Sequence, residues 1–353
     1  MNLSEGGKGM EQQSRTEMSL KAGDPVPKSP RPCSEEEITI GWEADLDAPM
    51  VSVVCHTYNH EKFIADALNG FLAQVTTFPF EIIVHDDAST DNTPEVIRKY
   101  ASRYPKIIRL ILQTENIYQK GLRPPMFSFP KARGKYIAFC EGDDYWIDKK
   151  KLEVQVSFLE NNPDYVLCYT DAVAFSSGVV LKRESAAKKV DLSGDELKKA
   201  PAIHTLTSCF RNVIDSPPEL SVVRYGDKFI WSRLGRYGKG KYLGSIAPSL
   251  YRVHPGGIHS SSTAPARKVM DLQTYVAMAT YYKRLGEEDL YVYFLDQSIR
   301  QVYDIEGVGS SFVAVVRCLS RWWDFSRKGM RFCFRKFRSI LYYFIRRNRA
   351  QEE

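Results

Sequence analysis

Five short, almost unbroken apolar runs constrain this chain more than anything else in it: Val51-Ser-Val-Val-Cys55, Phe80-Glu-Ile-Ile-Val84, Ile107-Ile-Arg-Leu-Ile-Leu112, Tyr136-Ile-Ala-Phe-Cys140 and Tyr165-Val-Leu-Cys-Tyr169. Runs of this length, apolar on consecutive rather than alternate residues, are strands covered on both faces. Between the first two, Phe63, Ile64, Ala67, Leu68, Phe71 and Leu72 recur at helical spacing over residues 61–74. Between the second and third, Thr93 is placed to cap a helix that opens with Pro94, since the missing proline N–H costs nothing at a first helical position. A further helix is predicted over residues 149–160, stopped by Asn161-Asn-Pro163. Strands alternating with helices give an α/β fold: a Rossmann-like, mostly parallel sheet flanked by helices.

Outside that alternation the pattern is less regular. Residues 1–45 hold few large apolar groups and include Asp24-Pro-Val-Pro-Lys-Ser-Pro-Arg-Pro32, so they read as a disordered leader. Residues 114–135, with Pro124, Pro125 and Pro130, read as a loop with one helical turn, and residues 171–223 as a mixed region. A helix is expected over 226–237, strands over 241–253 around Pro248, and an antiparallel helix pair over 270–285 and 288–303. The 353 residues, 43% hydrophobic and 12% aromatic, suffice for one large α/β core with a helical appendage. Seven cysteines without a C-x-x-C pair or zinc-like spacing fit free thiols in a reducing compartment. The first residues carry no signal-peptide pattern, and no apolar run approaches the ~18 residues that a bilayer span needs. The expected location is cytoplasmic.

Acidic residues directly after strands have functional weight, because ligands of open α/β sheets bind beyond the carboxyl ends of the strands. Asp86-Asp-Ala-Ser-Thr-Asp-Asn-Thr93 follows the second run. A turn rich in Asx and Ser/Thr explains its later residues, but not two adjacent acids at the strand end. Glu141-Gly-Asp-Asp-Tyr-Trp146 follows the fourth run and places three carboxylates in four residues. Their mutual repulsion is relieved by a cation or by solvent, and a hard divalent ion such as Mg²⁺ suits all-oxygen ligands shared with substrate phosphates. Gly142 lets a diphosphate approach the backbone. An acidic surface turn is the alternative; the flanking Phe139 and Trp146 favour a partly buried site.

The stretches Val51-Ser-Val-Val-Cys-His-Thr-Tyr-Asn-His-Glu-Lys-Phe-Ile64, Glu81-Ile-Ile-Val-His-Asp-Asp-Ala-Ser-Thr-Asp91 and Gly134-Lys-Tyr-Ile-Ala-Phe-Cys-Glu-Gly-Asp-Asp-Tyr-Trp146, with Gln74, strongly resemble the family 2 glycosyltransferases of the GT-A fold, in order and spacing over residues 50–170. The resemblance implies inverting transfer of a sugar from a nucleotide diphosphate sugar, with Mg²⁺ or Mn²⁺, to a glycan or lipid-linked acceptor of the bacterial cell-surface type. By position it puts Thr57 and Asn59 at the nucleotide end of the first strand, and Asp86 or Asp87 against the base or ribose. Glu141 and Asp143 stand where the family has its D-x-D metal motif, with Asp144 beside them in the nucleotide-sugar site. Glu141 replaces the commoner Asp, so the metal is held by both acids or by Asp143 alone.

The stretch Gly226-Asp-Lys-Phe-Ile-Trp-Ser-Arg-Leu-Gly-Arg-Tyr-Gly238, followed by Tyr251-Arg-Val-His-Pro-Gly-Gly257, looks like the acceptor half of non-processive members. There Asp227 is the candidate general base, although by itself it equally well caps a helix. Arg252 and His254 are candidates to reach the diphosphate. The processive signature Q-x-x-R-W is absent, since Cys318 stands where Gln belongs. The implied organisation is a leader (1–45), a GT-A domain (46–262) with a nucleotide-sugar half (46–170) and an acceptor half (171–262), a helical extension (263–308) and a tail (309–353).

The tail carries the basic charge. Residues 317–353 hold eleven Lys and Arg against three acids, a net +8, which leaves −2 for the rest of a chain of net +6. Phe312, Val316, Leu319, Trp323, Met330, Phe334, Phe337, Leu341 and Phe344 form one apolar stripe. Such a segment suits an anionic membrane interface; the plain alternative is a helix packed on the domain. Nucleic acid is not expected as a partner, because no RNA- or DNA-binding module is present. A sugar nucleotidyltransferase would show a Gly-rich loop with Lys or Arg after the first strand, where Cys55-His-Thr-Tyr-Asn-His60 stands. A degenerate, membrane-bound scaffold on the same fold is the remaining alternative.

Overall fold

A computed structural model describes residues 20–42, 48–182, 189–213, 215–257 and 262–302. The chain divides into two compact units, Met1–Ser298 and Ile299–Glu353. The basic aromatic tail, 309–353, lies outside the described residues.

All five apolar runs form strands: β1 (Val51–Thr57), β2 (Phe80–Asp86), β3 (Ile108–Leu112), β4 (Tyr136–Phe139) and β5 (Tyr165–Tyr169). The mixed region and the residues C-terminal to it add β6 (Ala172–Ser176), β7 (Val179–Val180), β8 (Cys209–Arg211), β9 (Lys239–Tyr242) and β10 (Ser249–Arg252). Seven strands make one sheet in the order β3-β2-β1-β4-β8-β5-β9, and three make a second in the order β10-β6-β7. In the seven-stranded sheet β3, β2, β1 and β4 run parallel, and among the described strands there only β8 runs against its neighbours β4 and β5. The carboxyl ends of β1, β2 and β4 therefore share one edge of the sheet. A bridge between Tyr145 and Leu250 brings β10 of the small sheet to that edge.

Helices cover both faces. In chain order they include α1 (Glu35–Thr39), α2 (Ile64–Leu72), α3 (Thr93–Arg103), α4 (Pro125–Ser128), α5 (Lys151–Asn161), α6 (Gly194–Lys198), α7 (Gly226–Leu234) and α8 (Ala264–Arg284), and residues 288–302 are helical as well. Phe71 and Leu72 of α2 pack with Val53, Cys55 and Val84 on one face, while Val54, Phe139 and Phe210 meet Ile230 and Trp231 of α7 on the other. Gly70 is required in α2, because a Cβ there would stand 2.8 Å from the Trp146 carbonyl oxygen. Helix backbone thus lies directly against the acidic loop. Thr93 is the first residue of α3 rather than its cap, and its hydroxyl accepts the His60 N–H at 2.8 Å. α8 begins at Ala264, six residues before the predicted start, because Thr263 caps it. Its Met278 and Tyr282 pack with Leu220, Phe229 and Phe294, so this helix shares a core with the acceptor half.

The leader differs from expectation. Residues 20–42 lie along the domain: the Val26 N–H bonds the Gly178 carbonyl, and the Cys33 N–H bonds that of Leu72. Ser34 and Glu37 form a capping box for α1, and Ile38 is buried in the main core. A proline-rich segment without a core of its own is ordered here by docking its few apolar groups on a surface that is already folded.

At the opposite end of β2, Glu81 is buried and accepts from Ser52 Oγ (2.7 Å), Arg109 Nη1 (2.9 Å), Arg133 Nε (2.9 Å) and the Arg133 backbone N–H (2.9 Å). Burial opposes its ionisation, but these donors outweigh burial and hold its pKa below the ordinary value. A carboxyl whose pKa falls on folding stabilises the protein above its unfolded pKa, and that contribution is lost as pH drops through the folded value. Glu81→Gln is expected to cost about 2 kcal/mol at pH 7, discounted for half-exposed arginine partners. The deficit should close on acidification below pH ~4, as read by urea denaturation of both proteins across pH.

Candidate active site

The predicted residues converge on the shared strand edge. Thr57 ends β1 and Asp86 ends β2, while Glu141, Asp143 and Asp144 follow β4. Asp227 lies in the first turn of α7, and Arg252 and His254 end and follow β10.

The ends of β1 and β2 are stapled together. Asn59, at φ 54°, adopts the left-handed conformation that Asn tolerates; its N–H bonds Ser89 Oγ (2.8 Å) and its Oδ1 accepts the Thr90 N–H (2.8 Å). Asp86 accepts from the Ser89 N–H (3.0 Å) and hydroxyl (2.5 Å). Asp87 accepts the N–H groups of Ile117 (2.7 Å) and Tyr118 (3.1 Å), so it organises the loop after β3. Both acids are buried. Tyr58, between Thr57 and Asn59, is one of the few large exposed side chains nearby.

Gly142 brings the acidic loop onto this platform: a Cβ there would lie 2.8 Å from Ile64 Cδ1 and 3.0 Å from Thr57 Oγ1. Each of the three acids then finds different compensation. Glu141 accepts the Thr205 hydroxyl at 2.7 Å. Burial raises its pKa to about 7 against that bond, with Asp143 and Asp227 adding to the rise. Asp144 is buried, accepts the Arg252 N–H at 2.7 Å, and is driven well above the carboxylate range by burial and by its two acidic neighbours. Asp143 differs from both. Burial opposes its charge, but the His254 hydrogen bond (2.9 Å) and the adjacent His60 hold its pKa low. Asp143 is thus the one acid of the three whose pKa is held down rather than raised.

His60, His254 and Asp143 offer ligand atoms within 4.8 Å of one another. His60 Nε2 lies 3.9 Å from Asp143 Oδ2. Burial lowers the His60 pKa against the charge of Asp143, and its buried Nδ1 has no hydrogen-bond partner. Two imidazole nitrogens and one carboxylate oxygen fit a divalent cation of intermediate softness such as Mn²⁺ better than they fit Mg²⁺. Glu141 is not in the cluster, because its carboxyl is turned to Thr205. His60 is absent from the predicted ligands and enters because β10 carries His254 to it. Arg252 Nε donates to the Asp143 carbonyl (2.8 Å) and Nη2 to Asp66 (2.8 Å).

Asp227 stands across from the acidic loop, close enough for its charge to raise Glu141. Burial lifts its own pKa, against a backbone hydrogen bond and the charge of Lys228, which is itself bound to Asp271. It is not the N-cap residue of α7, which is Tyr225 and makes no side-chain cap bond.

A family model described as glycosyl transferase family 2 matches residues 52–214. An uncharacterized protein of Mycobacterium tuberculosis is 35% identical over 237 residues, 65% of this chain and 66% of that protein, so the match spans just under two thirds of the relative's length. The Escherichia coli UDP-Glc:alpha-D-GlcNAc-diphosphoundecaprenol beta-1,3-glucosyltransferase WfgD is 28% identical over 188 residues, 53% of this chain and 70% of that enzyme. Among solved structures, residues 1–349 of Staphylococcus aureus TarS in complex with UDP-GlcNAc superpose with a TM-score of 0.53 at 20% identity, over 76% of this chain and 79% of that one, which shows a shared fold. With the sheet order, the acids at its carboxyl edge and the matched span in agreement, residues 52–214 form a family 2 glycosyltransferase domain on a GT-A fold.

Proposed function

We propose that the protein transfers a single sugar, with inversion, from a nucleotide diphosphate sugar to a hydroxyl of a glycan or lipid-linked acceptor. One observation carries the reading: Asp143 lies with two imidazoles at the carboxyl edge of the sheet, and the buried Asp227 is close enough for its charge to raise the neighbouring Glu141. The nucleoside half of the donor would lie on the stapled ends of β1 and β2, with Tyr58 available to stack on the base and Thr57, Asn59, Asp86 and Asp87 shaping the floor. The diphosphate would lie toward Asp143. His60, Asp143 and His254 would hold a divalent cation, Mn²⁺ or Mg²⁺, which when bound neutralises charge on the departing diphosphate. Asp227 would accept the proton of the acceptor hydroxyl as that oxygen bonds to the anomeric carbon and the bond to the diphosphate breaks. Its raised pKa makes it a stronger base than an exposed carboxylate. A single displacement of this kind inverts the anomeric centre. The β-linkages in the names of WfgD and of TarS, a poly(ribitol-phosphate) beta-N-acetylglucosaminyltransferase, support inversion, and the diphosphoundecaprenol in WfgD's name supports a lipid-linked acceptor.

Calorimetric titration with a panel of nucleoside diphosphates and their sugars, with Mn²⁺ and then with chelator, tests the donor site. Asp143→Ala should weaken metal-dependent nucleotide binding by about tenfold or more. Asp227→Asn should leave that binding intact and cut transfer by about 10²-fold or more. Full transfer by Asp227→Asn would remove the base assignment. Folded wild-type protein that binds no nucleotide would favour a scaffold without catalysis.

The tail reading adds attachment to an anionic membrane surface, on the cytoplasmic face. No described helix is long and apolar enough to cross a membrane. Sedimentation with phosphatidylglycerol-containing vesicles should fall sharply when residues 310–353 are removed. Equal sedimentation of both proteins would exclude the membrane role.

A further inference from the structure

Arg252 is held on every side. Its guanidinium carbon lies 4.6 Å from the centre of the Phe63 ring, 4.7 Å from that of Phe175 and 5.5 Å from that of Tyr145. Nε meets the Asp143 carbonyl and the backbone N–H meets the Asp144 carboxyl, so one residue grips two consecutive positions of the acidic loop. The remaining anchor is Asp66 of α2, whose Oδ2 accepts Arg252 Nη2 at 2.8 Å and whose Oδ1 accepts the Ser29 hydroxyl at 2.7 Å.

Asp66 therefore joins three parts of the chain that lie far apart in sequence: the 20–42 segment, the helix after β1, and the β10 end that delivers His254. The Tyr145 hydroxyl reinforces the same tie by donating to the Pro27 carbonyl at 2.7 Å. An exposed Asp–Arg pair would contribute little. This arginine is only 16% exposed and stacked among aromatic rings, so its orientation is fixed by the carboxylate at its end.

We propose that Asp66 is a positioning residue for the donor site, acting through Arg252 to set the Asp143 carboxylate against His60 and His254, with Ser29 tying the 20–42 segment into the same network. The proposal rests on the donor-site reading above, since it assigns Asp66 an effect on the ion that Asp143 would bind. Partners of metal ligands fix ligand orientation, and their loss typically weakens metal binding by about 10–100-fold.

Two measurements on the full chain test it. In Mn²⁺ titrations, Asp66→Ala should weaken affinity by about tenfold, with Ser29→Ala intermediate and Asp66→Glu closer to wild type. An Asp66→Ala protein that melts earlier but binds Mn²⁺ as the wild type does would reduce Asp66 to a purely structural role and overturn the proposal. The second measurement needs no metal. Hydrogen exchange at the amides of 143–146 and 252 should quicken by about tenfold in Asp66→Ala while the β1 and β2 amides keep their protection. Unchanged exchange in the loop would overturn the proposal. Wild-type protein that binds no Mn²⁺ would instead refute the metal-site reading, and the exchange result would then decide the role of Asp66 by itself.

Discussion

Glu141, Asp143 and Asp144 crowd together at the end of a central strand, in a pocket too dry for three negative charges. The surrounding fold resolves this conflict by treating the three acids differently. Burial raises Glu141 to about 7 against the Thr205 hydroxyl and lifts Asp144 well above the carboxylate range against the Arg252 N–H, while the His254 hydrogen bond helps hold Asp143 low.

Each partner comes from a different part of the chain, so the site depends on the topology. The parallel run of β1, β2 and β4 puts their carboxyl ends side by side. The reversed strand β8 brings the Thr205–Thr207 turn to Glu141; that turn is held from below by Trp146 Nε1 on the Leu206 carbonyl and by Lys151 and Gln155 on that of Thr207. Lys151 is fully buried, and burial lowers its pKa to about 8. The small sheet supplies Arg252 and His254, and Gly70 and Gly142 allow the close approach that brings the loop, α2 and the β1 end together.

Much of this is legible in the sequence, for a physical reason. Strands buried on both faces must be apolar throughout, so β1 to β5 stand out, and acids directly after such strands have no packing role to explain them. Effects of distant residues are not legible in the same way. His60 sits within a recognisable motif, yet an imidazole becomes a candidate ligand only when His254, nearly two hundred residues on, lies beside it. Arg252 reads as a free cation, because its carboxylate partner is on α2 and its aromatic stack comes from three separate segments. Residues 20–42 read as a leader, because their stability is borrowed from edges and grooves of the folded domain. The Thr205 contact falls in the mixed region 171–223, where strands of two to five residues leave no periodicity to detect.

On the reading proposed above, Asp143 holds a cation with His60 and His254 rather than Glu141 as its companions. Anomalous diffraction from crystals soaked in Mn²⁺ and a nucleoside diphosphate would locate the ion directly. A single peak within coordination distance of the Asp143 carboxylate and both imidazoles is the expected result. A peak held by Glu141 or Asp144, with His60 and His254 out of reach, would contradict this assignment.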